Sequence, residues 1–213
     1  MWQQWQAWDA AILTWVQGFA SAPLDWVAAA VANPVMMIPA GLLLAGWVVW
    51  GLSPWRAAYL VALAAVLLCV NESVVWDWAR VRVARPHPFQ SVLGSRRVEW
   101  VGNGPRVGVT ADKHLRARGG SFPALHVMNN VALAVVISVV ARRRVVTLGM
   151  VCWCGVVGWS RVYAGAHFPS DVAGSVLLGL GLAVPWCGAA AWAVRRFLPA
   201  RAANLLDEAR LAS

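Results

Sequence analysis

The chain has 213 residues, 60% of them hydrophobic and only 13% charged, about half the charged share of an ordinary soluble domain. Its 18 Lys and Arg outweigh 9 Asp and Glu, an excess that in a soluble protein would point to nucleic acid. With this much apolar bulk, and 15 Trp of the kind that collect at membrane–water interfaces, the expected partner is the bilayer and not nucleic acid.

In chain order, Trp2, Trp5, Trp8, Ile12, Trp15, Val16 and Phe19 recur at helical spacing among Gln, Asp and Thr. Within residues 1–25 this predicts a helix lying in the interface or the beginning of a further span; a signal peptide's basic start and compact apolar core are missing. Trp26–Trp55 has no charged residue, Ala57–Trp76 has only Glu72, and Gly119–Ala141, Val145–Ser160 and Val172–Val194 follow. A spanning helix needs about 20 mostly apolar residues, so the expected fold is an all-α membrane bundle of five spans, or six with the N-terminal helix. Glu72, inside a span, is expected to find a structural partner. Cys69, Cys152, Cys154 and Cys187 all fall in predicted spans and read as packing residues, since Cys-x-Cys alone lacks the other two ligands of a structural zinc site. Residues 198–213 read as a cytoplasmic tail.

One connection is long. Residues 77–121 hold nine basic and three acidic residues, so six of the chain's nine net positive charges sit there. Gly102, Gly104 and Pro105 mark a turn, Gly119-Gly120 a second, and the segment is expected to be a functional loop without strong secondary structure. Raw charge does not orient the bundle: eight basic residues fall on one side and ten on the other. The short-loop triplet Arg142–Arg144 is the better signal, and it places the arginine-rich loop outside. Its charges then need a different explanation, and binding phosphate supplies one.

Two segments on that face can do chemistry. In Ser121-Phe-Pro-Ala-Leu-His126, Pro123 suits a helix's first turn and Ser121 its cap, which puts His126 beside N–H groups that favour an anion. In Ser160-Arg161-Val-Tyr-Ala-Gly-Ala-His167-Phe-Pro-Ser-Asp171, an i,i+4 pair in one helical turn would let Asp171 hold one nitrogen of His167 and leave the other nucleophilic. A lone interfacial His or a span-end Arg is ordinarily unremarkable. Two His, an Asp and several Arg on one face are what phosphoryl transfer needs. Asn129 and Asn130, one turn after His126, are placed either to orient it or to make inter-helix packing bonds; His87, after the Arg-Pro pair, reads as a loop histidine without a role in preference to a substrate contact, and His114 as without a role.

These residues resemble the type 2 phosphatidic acid phosphatases, which share their site with vanadium haloperoxidases. The family pattern is Lys-x6-Arg-Pro, Pro-Ser-Gly-His and Ser-Arg-x5-His-x3-Asp. The third part is matched in full by Ser160, Arg161, His167 and Asp171, the first at Arg85-Pro86, the second at Pro123 and His126. The family lysine is replaced by Trp78, with Arg82 and Arg80 as candidate substitutes, and the family Ser-Gly by Ala124-Leu125, with Ser121 as partial compensation. The resemblance implies a bacterial inner-membrane lipid phosphatase with its site facing the periplasm or exterior. Arg85, Arg161, Arg82 and Ser121 would bind phosphate, His167 oriented by Asp171 would form a phosphohistidine, and His126 would protonate the leaving group. No metal or other cofactor is called for. Undecaprenyl diphosphate is the leading substrate; phosphatidylglycerol phosphate, phosphatidic acid and lipid A phosphate also present a phosphate at the interface. The alternative is a weakened lipid-phosphate binder or transporter that keeps the fold. The oligomeric state is not legible.

Overall fold

The computed structural model describes residues 2–33, 35–36, 46, 50, 52–109 and 120–197. Most of the first uncharged run, His114 and the expected tail at 198–213 lie outside these residues, as does the side chain of Arg80.

Helices dominate, for the reason the hydropathy gives: long uncharged runs satisfy their own backbone groups only as helices. Helix α1 (Trp2–Gly18) is followed by α2 (Ala22–Ala32), which has Pro23 in its first turn. Helix α3 (Pro54–Val70) runs into a π-helical segment, Asn71–Trp76, and then α4 (Asp77–Val83). A single turn, α5 (Pro88–Ser91), leads to strands β1 (Arg96–Val101) and β2 (Gly104–Val109). Helices α6 (Leu125–Ala141), α7 (Arg144–Tyr163) and α8 (Pro169–Phe197) complete the described chain. Among the described residues, three stretches are long and apolar enough to cross a membrane: the one beginning at Pro54, α7 and α8. At 17 residues α6 sits at the lower limit of spanning length.

Only Arg142 and Arg143 separate α6 from α7, with Arg142 in the left-handed conformation (φ 55°) that ends α6. The two helices are therefore antiparallel neighbours, and the start of α6, the end of α7 and the start of α8 come to one end of the bundle. Helix α6 is central. Its Ala132, Val136 and Val140 pack with Leu63 and Leu67 of α3 and with Ala183 and Cys187 of α8. A second layer joins Val127 and Val131 of α6 to Val157 of α7. Asn71 donates to Asn129 (3.1 Å), tying α3 to α6, and Trp153 donates to Asn130 (2.8 Å), tying α7 to α6. Both asparagines make inter-helix packing bonds, one of the two roles expected of them. Glu72 is exposed on the π-helical segment rather than buried, and no ion pair is formed by it among the described residues.

The long connection corrects the expectation of a loop without strong secondary structure, while the fold remains mostly helical. It carries α4 and an antiparallel hairpin in which Val101 pairs with Gly104 across a two-residue turn at Gly102-Asn103. Gly102 supplies the positive φ (59°) that such a turn takes at its first central residue.

The hairpin is docked, not free. Gln17 at the end of α1 receives the Arg96 N–H (2.9 Å) and donates to the Arg96 and Tyr163 carbonyls (2.9 and 3.1 Å). Asp25 of α2 accepts from Arg96 (2.8 Å) and from the Tyr163 hydroxyl (2.7 Å), and Val98 donates its N–H to the Ala164 carbonyl (3.1 Å). Helix α1 thus turns Asp9, Leu13 and Gln17 inward and leaves Trp8, Ile12, Trp15 and Phe19 exposed.

Gly165 sits where α7 meets the hairpin, at φ +66°, and a Cβ there would collide with the Arg96 carbonyl oxygen. Gly165→Ala is therefore expected to cost about 2 kcal/mol or more, from left-handed strain plus displacement of β1. Gly181→Ala, facing open space on α8, should be neutral or mildly stabilising. Thermal unfolding in detergent checks both; equal effects would mean that the hairpin is not held at Gly165.

Candidate active site

Four backbone segments meet at the end of the bundle where α6 and α8 begin. Helix α4 ends at Ala84, whose φ of 44° is left-handed, and Arg85-Pro86 leads the chain away. Ser121 crosses this segment, donating its N–H to the Arg85 carbonyl (2.7 Å). Gly120 has to be bare here, because a Cβ would lie 3.1 Å from the Arg85 nitrogen. Helix α6 starts at Leu125, one turn later than expected, so Pro123 precedes the helix and Ala124 is its N-cap. The Ala124 N–H is bound by the Ser175 hydroxyl of α8 (2.7 Å). His126 falls in the first turn of α6, as expected, with Asn130 donating to its carbonyl one turn on.

His167 lies in the connection before α8, not in a helical turn with Asp171. Its Nδ1 is 2.5 Å from the Ser121 carbonyl oxygen. A carbonyl only accepts, so Nδ1 carries the proton and Nε2 keeps a lone pair. This corrects the expected pairing: Ser121 orients His167, and the Asp171 carboxylate is engaged elsewhere. It accepts from the Phe168 N–H (2.9 Å) and from Arg85 (2.7 Å).

Arg85 is the second correction. One terminal nitrogen donates to Asp171 and to the Ser170 hydroxyl (both 2.7 Å), the other to Asp9 of α1 (2.6 Å), and its guanidinium lies 4.1 Å from the Phe168 ring centre. Asp9 also receives the Ser170 N–H (2.9 Å) and hydroxyl. A guanidinium met by two buried carboxylates is electrically satisfied before any substrate arrives. In this structure Arg85 ties α1 to α8 and does not stand open to phosphate. Arg82, the candidate for the missing lysine, is exposed and lies over the Trp78 ring (5.3 Å).

Arg161 is the converse. Only 7% exposed, it donates one bond, to the Ala32 carbonyl (3.0 Å); its Nε is buried with no hydrogen-bond partner, and no carboxylate pairs with it among the described residues. The Ser121 hydroxyl is fully buried and lies close enough to the Asp171 carboxylate to act on it. Two imidazoles lie beside the Arg161 charge and a third stands behind them. His126 and His167 both feel Arg161, and the His87 ring lies 5.8 Å from the His167 ring, its Nδ1 held by the Ala166 carbonyl (2.6 Å).

The sequence undervalued three residues here. His87 is buried against the site rather than idle in a loop, Arg97 of β1 comes within electrostatic reach of His87 and Arg161, and Asp9 reaches in from α1. For Asp9 a signal was present: with Leu13 and Gln17 it makes a four-residue repeat opposite the tryptophans.

With these residues in place, a sequence model of the PAP2 superfamily is found to match residues 53–195. The chain belongs to the PAP2 superfamily. A lipid A 4'-phosphatase of Bacteroides thetaiotaomicron is 26% identical over 178 residues, covering 81% of this chain and 73% of that protein. The crystal structure of a transmembrane PAP2 type phosphatidylglycerolphosphate phosphatase from Bacillus subtilis superposes with a TM-score of 0.60 over 90% of this chain and 88% of that one. At 20% identity that likeness speaks for the transmembrane fold alone. In this PAP2 protein the two histidines expected to be catalytic come within electrostatic reach of Arg161 and form one cluster with it, here termed the chamber, beside which Arg85 is held on Asp171.

Electrostatics make the chamber a place for an anion. Burial first, then the Arg161 charge, push His167 down to about 3 from 6.5, against the pull of the Ser121 carbonyl. Burial also lowers His87, against the upward effect of the Ala166 carbonyl. Both rings are therefore neutral in the folded protein at pH 7. Below pH 6.5 the unfolded chain binds protons that the folded chain refuses, so stability rises with pH across that window and falls as pH drops below 6.5. The unfolding midpoint in detergent should decline between pH 7 and 5, and His167→Gln should flatten that slope. An unchanged slope would place a charged His167 in the fold.

Proposed function

We propose that this PAP2 protein hydrolyses a lipid phosphate without a metal, through a phosphohistidine on His167. The observation that carries the reading is the buried Arg161 guanidinium, unpaired among the described residues and faced by neutral imidazoles. An uncompensated buried charge is costly, and an incoming phosphate supplies what the fold leaves out.

In the proposed reaction, phosphate oxygens lie on Arg161 and the Ser121 hydroxyl. The Nε2 lone pair of His167 attacks phosphorus in line, forming the N–P bond as the P–O bond to the lipid breaks. The charge of the bound phosphate offsets Arg161 and lets His126 take up a proton, which it delivers to the departing oxygen; His126 then takes one from the water that attacks the phosphohistidine, breaks the N–P bond and releases inorganic phosphate. Arg161 stabilises the charge that builds on the equatorial oxygens. Arg85 and Asp171 act here by holding Ser170 and Phe168, and so the connection that carries His167.

Beside this chamber runs an open apolar groove of about 730 Å³ between α6, α7, α8 and the outer half of α1. It extends along α7 from Thr147 to Val162, roughly 22 Å at the helical rise, and ends next to Arg161. A lipid tail in that groove would leave its headgroup at the histidines. Two substrate chemistries fit: undecaprenyl diphosphate, and a glycolipid phosphomonoester of the kind named for the Bacteroides thetaiotaomicron relative. The chamber then faces the periplasm or exterior, with Arg142–Arg144 in the cytoplasm, and residues 1–25 lie in the outer interface with the exposed tryptophans in lipid.

The second reading, a binder that has lost turnover, rests on Ala124 and Leu125. The Ala124 N–H is spent on Ser175, which removes one backbone donor from the anion's reach. Phosphate release by detergent-purified protein in EDTA, over undecaprenyl diphosphate, lipid A, phosphatidylglycerol phosphate and phosphatidic acid, separates the two. Hydrolysis of one lipid is expected, lost by about 10³-fold or more in His167→Ala and by about 10²-fold or more in His126→Ala. Binding without release from any of the four would establish the binder. Dependence on added metal would end the histidine mechanism as proposed.

A further inference from the structure

The phosphate chamber has a wall that none of the family's sequence motifs supplies. Strand β1 alternates its side chains. Arg96, Val98 and Trp100 face the helices: Arg96 pairs with Asp25, Val98 is buried with Tyr163 and Ala164, and the Trp100 ring sits 5.4 Å from Trp26. Arg97 points the other way. Its guanidinium lies 4.6 Å from the centre of the Phe89 ring; Phe89 stacks on His87 at 5.3 Å, and His87 meets His167 at 5.8 Å.

This row links the Arg97 guanidinium to His167 through the Phe89 and His87 rings. The one acid on Arg97 among the described residues is Glu99, whose carboxylate lies 3.7 Å from the Arg97 Nε. Arg97 and Arg161 repel one another, and Arg97 also acts on His87. Two guanidiniums brought together at low dielectric, with no carboxylate between them among the described residues, are mutually destabilising until an anion stands between them. The hairpin is nonetheless clamped in this position from three sides, by Gln17, Asp25 and Ala164. A solvated surface arginine would not need that clamp.

We propose that Arg97 is a phosphate-binding residue of this chamber, gripping the anion from the side opposite Arg161. The proposal rests on the reading of the chamber as a phosphate site, and it makes the hairpin part of the site rather than a cover over it. Phe89 is then the platform that holds the guanidinium plane, and Glu99 the group that fixes its rotation.

The experiment uses the full chain in detergent and inorganic phosphate as probe, so that neither turnover nor the lipid tail enters. Phosphate affinity is measured by calorimetry for wild type, Arg97→Met, Arg97→Lys, His167→Ala and Arg106→Ala; Arg106 is the exposed cross-strand neighbour of Glu99. Methionine keeps an apolar stem on Phe89, so the fold is expected to survive, which the unfolding midpoint without phosphate verifies. Arg97→Met should weaken phosphate binding by about ten- to hundredfold, the size of one lost charge-assisted bond. Arg97→Lys should recover part of it, and Arg106→Ala should bind as wild type. With any lipid that turns over, the Arg97→Met loss should appear mainly in KM. Wild-type affinity in a folded Arg97→Met overturns the proposal, as does an equal loss in Arg106→Ala, which would mean a diffuse field. If Arg97→Met lowers the midpoint, Arg97→Lys decides: a stable lysine variant with no gain in affinity over methionine also overturns it. Phosphate binding that depends on Arg97 in a protein that hydrolyses no lipid would leave this proposal standing and defeat the phosphatase reading instead.

Discussion

Placing guanidinium groups at the end of an apolar bundle is the constraint from which the rest follows, because each must be answered by something or left as a standing cost. Arg85 is answered in full: Asp9 and Asp171 take its two terminal nitrogens, and Ser170 bridges them. Among the described residues, Arg161 is answered by a single backbone carbonyl. Such unequal treatment of two arginines on one face separates structure from function. The satisfied one locks α1, the 84–86 turn and the start of α8 into one frame. The less satisfied one sits inside that frame, where the proposed phosphate would supply the missing charge.

The frame explains why the N-terminal helix is amphipathic in the sense opposite to a soluble one. Its polar stripe, Asp9 and Gln17 with Leu13 between them, is buried, and its tryptophans are exposed. Asp9 holds Arg85, and Gln17 holds the backbone of Arg96 and Tyr163. A helix that supplied only a hydrophobic anchor would need neither. Helix α1 is thus a strut between the α8 end of the chamber and the hairpin end. A few kcal/mol of buried hydrogen bonds and ion pairing depend on its two polar side chains.

What the sequence disclosed follows from where the signals are local. Uncharged runs, the Arg142–Arg143 connection and the Ser160-to-Asp171 spacing are all short-range patterns, so the helices, their antiparallel order and the meeting of His126, Arg161 and His167 were legible. The partners were not. The i,i+4 spacing of His167 and Asp171 suggested a bond that the structure does not make, because the helix begins only at Pro169 and the Ser121 carbonyl, 46 residues away in sequence, arrives first. Arg97 is one of nine basic residues in its segment and no local feature distinguishes it. The Gly102-Asn103-Gly104 turn could have revealed the hairpin, and with it the alternation that separates Arg97 from Arg96. Trp78 and Arg82 drew attention through alignment with the family lysine, yet both are exposed on α4.

The departures from the family pattern then form one coherent change rather than three unrelated losses. Trp78 takes a cation from the α4 side of the chamber, and Ala124-Leu125 takes a hydroxyl and an open backbone from the α6 side. The Ala124 N–H, no longer beside a small flexible pair, is capped by Ser175 and closed to ligand. On the opposite side the chain places His87, Phe89 and Arg97 in a row that ends at His167. On the proposed reading, an anion in this site would meet fewer donors from the α4 and α6 sides and a cation from β1, so its grip would come from the hairpin side.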